Sequence, residues 1–246
     1  MFRSARMASA LLLALALVAC TAPAPTPTPT PLTTAERNVL GQLLLAPNST
    51  GAMMRVMREE YPAEAEALTR DMIAIERSDR TDAEKRAVAA ELGREYRLRH
   101  ADGLLQANDE SLRAYLTSQQ AVIEALADDP ATCRRYLFGG FGALTPEAKE
   151  RVDPLYAETL RAQTSAMAQG ERAPVGRRME EDAGVAAAAK AIFADFSTAE
   201  MAALKNEGSD AQVCAAFRRF TVRLLEDERP GADSLRALTA WNAAQS

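Results

Sequence analysis

The side chains of this 246-residue chain that could do chemistry are few: one histidine, three cysteines, a methionine triplet, some acidic pairs and one glycine-aromatic turn. Any Ser-His-Asp or Cys-His site would have to use His100, which sits beside Arg97, Arg99 and Asp102 on the Tyr96 row of a long helical stretch. That setting reads as a partly exposed boundary histidine before it reads as a general base. Met53, Met54 and Met57 could offer soft sulfur ligands to Cu(I). With no Cys or His near them in sequence, they read as gap-filling core residues. Glu59-Glu60, Glu180-Glu181-Asp182 and Glu226-Asp227-Glu228 could supply the paired carboxylates that cut a glycan, but each falls where a solvated helix face would. There is no Gly-x-Ser-x-Gly elbow, no phosphate loop and no Ser followed three residues later by Lys. No catalytic, metal or cofactor residue is therefore assigned.

The least ordinary local composition is Gly139-Gly140-Phe141-Gly142, flanked by Tyr136, Leu137 and Phe138. Tyr136, Phe138, Gly139, Gly140, Phe141 and Gly142 could form a mobile apolar loop that meets a ligand or partner. A tight turn with its rings tucked into the core is the stronger reading of the same residues, since apolar residues are usually buried.

At the N-terminus, Arg3 and Arg6 precede an apolar run from Ala8 to Ala19, too short to span a bilayer as a helix. The run closes on Leu17-Val18-Ala19-Cys20, which resembles the lipobox of bacterial lipoprotein precursors. The resemblance covers about the first twenty residues. It implies a signal peptide over residues 1–19, cleavage before Cys20, and acyl chains on the Cys20 sulfur and the new amino group. Several acyl chains make a durable anchor, since each buried methylene adds roughly 0.8 kcal/mol. The competing cut at Ala22-Pro23-Ala24 is poor because of its proline. Thr21, where an Asp would favour the inner membrane by analogy with enterobacterial sorting, points to the outer membrane, with the rest of the chain facing the periplasm.

With Cys20 assigned to lipid, Cys133 and Cys214 remain in a compartment where disulfides persist, and a Cys133–Cys214 bridge is expected in preference to two buried free thiols. The absence of any short Cys spacing argues against a metal site built on them.

The elements that must position these residues are set by the rest of the chain. Residues 20–32 are a Pro/Thr-rich linker with proline at 23, 25, 27, 29 and 31, which bars helix and ladder alike. It reads as a disordered, extended spacer at about 3.1 Å per residue, on the order of 30 Å long. Residues 33–246 read as an all-helical domain, an irregular bundle of about 8–10 helices with a possible sub-division near 128–131. Capping boxes at Thr33-Thr34-Ala35-Glu36 and Thr81-Asp82-Ala83-Glu84 open two helices, the second expected to run to about Ala107. Leu112, Tyr115, Leu116, Val122, Ile123 and Leu126 give the clearest amphipathic stripe. Pro154 should kink or break the helix that starts at Thr145. No stretch alternates long enough for a strand.

Cleavage would remove two arginines and no acids from 29 basic and 34 acidic residues, leaving a charge near −7 that disfavours nucleic acid. The sequence thus points to a lipid-anchored envelope module that binds a protein partner as adaptor or assembly factor. A peptidoglycan-related hydrolase and a carrier of small apolar molecules are the alternatives.

Overall fold

In the computed structural model, the described residues are 31–177 and 183–245. The lipobox, Cys20 and all of the linker before Pro31 lie outside them, as do Glu180, Glu181 and Asp182. The fold is all-α. Among the described residues there are twelve α-helices and no strand. They are α1 (Thr34–Leu45), α2 (Ser49–Glu60), α3 (Pro62–Glu76), α4 (Asp82–His100), α5 (Asp102–Gln106), α6 (Asp109–Ala125), α7 (Pro130–Gly139), α8 (Pro146–Arg172), α9 (Ala183–Ile192), α10 (Thr198–Leu204), α11 (Asp210–Glu226) and α12 (Ala232–Gln245). A 3-10 turn, Phe141–Ala143, lies between α7 and α8. Leu32–Ser246 forms one compact unit.

Local chemistry sets most boundaries. The hydroxyls of Thr33, Thr81, Ser197 and Ser209 accept from the third helical N–H, while Glu36, Glu84, Glu200 and Gln212 reach back to the cap N–H. Each such box is worth about 1 kcal/mol. Pro62, Pro130 and Pro146 stand at helix starts, where a missing N–H costs nothing.

The long helix α8 is the axis, packing on α2, α5 and α6. Around it lie three main apolar clusters. One joins Leu104, Leu112, Leu116, Met167 and Leu224 with the alanine face of α12. A second gathers Val122, Leu126, Tyr136, Val152 and the two cysteines. The third holds Met54, Met57, Ala65, Leu68 and Tyr96 under α1–α4. Met54 and Met57 are fully buried there, as core packing requires, each contributing on the order of 2 kcal/mol of burial. Asp153 of α8 accepts from the Ser49 N–H at 3.1 Å, placing a carboxylate at the N-terminus of α2.

One expectation about helix limits is narrowed and one is corrected. Of the kink or break expected at Pro154, there is no break: α8 continues through it. The carbonyl that loses its donor belongs to Glu150, and both residues lie on the exposed face, where water serves it. The helix from Thr81 ends at His100, and α5 starts afresh at Asp102. The break lets Gly103 lie against α8: a Cβ on Gly103 would stand 2.3 Å from the Met167 carbonyl oxygen, and one on Gly170 would stand 1.9 Å from the Gly103 carbonyl oxygen. These are backbone contacts that no rotamer change relieves. Gly170→Ala should therefore destabilise by roughly 2 kcal/mol, an overpacking cost near 3 less about 1 of helix propensity. Gly41→Ala, with nothing within 4 Å in α1, should stabilise by about 0.5–1 kcal/mol. Urea midpoints of the two variants moving in the same direction would refute the close-approach account.

Candidate functional site

The glycine-aromatic corner is built from the disulfide outward. Asp129 caps α7 by accepting from the Thr132 N–H at 3.2 Å. One turn on, Cys133 is bonded to Cys214 of α11, with Cα atoms 5.9 Å apart and both residues buried. Arg134 fixes the same helix pair from outside, donating to the Asn206 and Gly208 carbonyls at 2.9 and 3.1 Å and to Asp210 at 2.9 Å. α7 then ends at Gly140, whose φ of 64° is a left-handed conformation that favours glycine.

Beyond Gly140 the chain makes a tight 3-10 turn, Phe141–Ala143. Tyr136 is buried and Leu144 closes the turn over the core. Phe141 stacks on Tyr156 with centroids 4.1 Å apart and planes within 2°. Lys149 Nζ lies 5.9 Å from the centroid of the Phe141 ring. Phe138 is the ring left outside: it is 42% exposed and touches Phe217 of α11 edge-on at 5.5 Å. The six residues singled out in sequence thus divide. Tyr136 belongs to the core, Gly140 and Phe141 are half covered, and Phe138 with Gly139 and Gly142 faces solvent. Phe138 is thus an exposed aromatic on the end of a helix cross-linked to its neighbour.

No protein-family model, curated protein or solved structure matches this chain. Its own side chains are what a functional reading must be built on.

The second cluster surrounds His100, and here the boundary reading is corrected: the residue is 7% exposed. Its Nδ1 lies 2.7 Å from Glu171 Oε1 of α8 and its Nε2 lies 2.9 Å from Glu64 Oε1 of α3. The Tyr61 and Tyr96 rings pack on the imidazole at centroid distances of 4.2 and 4.9 Å. Arg99 donates to the other Glu64 oxygen at 2.9 Å, and Arg172 pairs with Glu60. The Tyr61 and Tyr96 hydroxyls are buried near Glu171 and Thr164 without meeting hydrogen-bond geometry to either. Burial, reinforced by Glu171 at Tyr61 and by Glu64 at Tyr96, pushes both phenols up. Both imidazole nitrogens are occupied by carboxylates, so the ring offers no free atom to a substrate in this arrangement.

Among the described residues, the acidic runs at Glu59-Glu60 and Glu226-Asp227-Glu228 do not converge. Glu60 is spent on Arg172 and Glu228 on Arg113. Asp227, read from sequence as part of a solvated face, is buried and accepts from the Arg229 N–H at 3.1 Å. Its burial comes from the turn at the end of α11, whose carbonyls meet Arg113 and Arg236. No group of three or more His, Cys, Asp or Glu side chains is arranged to hold a metal among the described residues. Two grooves of 340 and 400 Å³ run along α11. Their walls mix arginine and acidic residues with Ala215, Val222, Ala191 and Ile192, and Arg218 is paired to Glu124 and Arg223 to Asp195.

Sequence reasoning missed the buried arginines. Arg236 is 2% exposed, and the Arg177 side chain, 4% exposed, donates to the Leu105 and Ala107 carbonyls and to Asp233. The one hint was a lone charge in the apolar run Leu235-Arg236-Ala237-Leu238.

Proposed function

We propose that this chain is a bacterial envelope lipoprotein that acts by binding, an adaptor or assembly module facing the periplasm. In this reading lipid on Cys20 holds it at the outer membrane, and the corner from Phe138 to Gly142 meets an envelope protein. The observation that supports it best is Phe138, a large ring kept at the surface on a helix that a disulfide and an arginine fix in place. The lipobox resemblance and the alternating prolines after it supply the anchor and the reach. Acid–base hydrolysis centred on His100 is the weaker reading, because Glu64 and Glu171 already hold both ring nitrogens.

A photo-crosslinking residue at position 138 tests the proposal in intact envelopes. It should trap one discrete partner. A crosslinker at exposed Ala90 on α4 should not trap it, and Cys20→Ala should move the protein from the membrane to the soluble fraction and lose the adduct. Identical adducts from positions 138 and 90 would overturn the surface assignment. Cys20→Ala protein that stays membrane-bound would overturn the anchor.

A further inference from the structure

The His100 cluster has a property that packing alone does not require. A neutral imidazole carries one N–H and one lone pair, whereas the imidazolium carries two N–H groups. His100 presents both nitrogens to carboxylate oxygens, Glu171 at 2.7 Å and Glu64 at 2.9 Å. The charged ring donates to both. The neutral ring donates to one and turns its lone pair against the other, inside a site where the ring is 7% exposed and walled by two tyrosines. The geometry points to His100 as a proton-operated clasp that ties α3 and α4 to the C-terminal end of α8.

The groups facing it come from every neighbouring element. α2 and its corner bring Glu60 and Tyr61, α3 brings Glu64, α4 brings Tyr96 and Arg99, and α8 brings Glu171 and Arg172. Glu60 has its own partner in Arg172 and Glu64 in Arg99, so the imidazole proton is what decides whether both of the ring's carboxylate contacts are attractive. His100 is the chain's one histidine, and Cys133 and Cys214 are bonded to each other. No other described side chain is of a type that ordinarily changes charge between about pH 5.5 and 8. α4 is the element most exposed to the outcome: of its nineteen residues only Tyr96 and His100 are buried.

Full-length protein in detergent, labelled with ¹⁵N, gives an unambiguous test because it has a single imidazole. The imidazole ¹⁵N shifts, followed from about pH 5.5 to 8, show directly when the ring carries two protons and when one. As the ring loses one, amide protection factors in residues 62–76 and 82–100 should fall on the order of tenfold, the weight of one charge-assisted hydrogen bond, while those of α6 stay constant. In His100→Gln, whose amide has one donor nitrogen, one acceptor oxygen and no titration, protection in α3 and α4 should be flat with pH. A ring that keeps its protonation state across the window would overturn the clasp. So would protection that ignores the ring's transition, or that shifts equally in His100→Gln.

Discussion

Asp109→Ala should lower the thermal midpoint by about 6–12 °C at neutral pH, the equivalent of about 3 kcal/mol in a domain of this size. Asp109 opens α6, and its two carboxylate oxygens receive two different arginines. Arg236 Nε of α12 donates to Oδ1 at 2.6 Å, and Arg113 Nε donates to Oδ2 at 2.7 Å. Arg236 also reaches the Leu224 and Asp227 carbonyls at 2.9 and 2.8 Å, which satisfies the end of α11. One carboxylate therefore sews α6, α11 and α12 together. Alanine there leaves a guanidinium that is 2% exposed without its counter-charge, and breaking a buried pair in this way costs about 3–5 kcal/mol. The lower figure applies because the Asp109 side chain is itself 37% exposed. Asp109→Asn keeps an acceptor for Arg236 and should recover part of the loss. The pH dependence has a definite sign. Burial pulls the Asp109 carboxyl up, but the hydrogen bonds from Arg236 and then Arg113 outweigh it and hold the group below its usual 3.8. Its contribution is then fully present above about pH 4 and is lost only as the pH falls further. The gap between wild type and Asp109→Ala should accordingly be constant from neutrality to about pH 4 and shrink below it. Equal midpoints at neutral pH would mean that the backbone carbonyls alone keep Arg236 in place.

What was legible in the sequence is what local chemistry decides. Caps at Thr33 and Thr81 marked helix starts because a hydroxyl and an acid three residues on suffice to satisfy the first turn. The stripe of α6 marked its core face, and Leu112, Tyr115, Leu116, Val122 and Ile123 are indeed buried. The expectation about His100 failed for the opposite reason. Its neighbours Arg97, Arg99 and Asp102 describe the surface side of the helix, while the partners that make burial tolerable, Glu64 and Glu171, lie 36 and 71 residues away. Asp109 and Arg236 are 127 residues apart, beyond any local pattern. Nothing local marks Gly103 and Gly170, whose meaning lies in an approach between α5 and α8 that only the packed fold creates. The glycine-aromatic corner falls between these cases. Its composition was conspicuous, but which ring turns outward depended on Tyr156 receiving Phe141 and Phe217 flanking Phe138.

The largest effect should come from the disulfide. Cys133 and Cys214 are 81 residues apart, and closing a loop of that length restrains the unfolded chain by about 4.5 kcal/mol in the entropic account. Cys133→Ala/Cys214→Ala should lower the midpoint by about 9–18 °C, and reducing the wild type should match it, since both release the same loop. Alanine is the right probe because a serine hydroxyl would be stranded among Val122, Leu126 and Val152. If the restraint acts on the unfolded chain, the folded state should barely change. Arg134 still reaches Asn206, Gly208 and Asp210, and Phe138 still meets Phe217. Far-UV circular dichroism and the position-138 crosslink should therefore survive at low temperature while the midpoint falls. A loss below about 1 kcal/mol would mean that the denatured chain already brings α7 and α11 together. A crosslink lost at temperatures where the helices remain would instead show that the bridge positions Phe138 directly, making the bond part of the recognition surface and not only a restraint on unfolding.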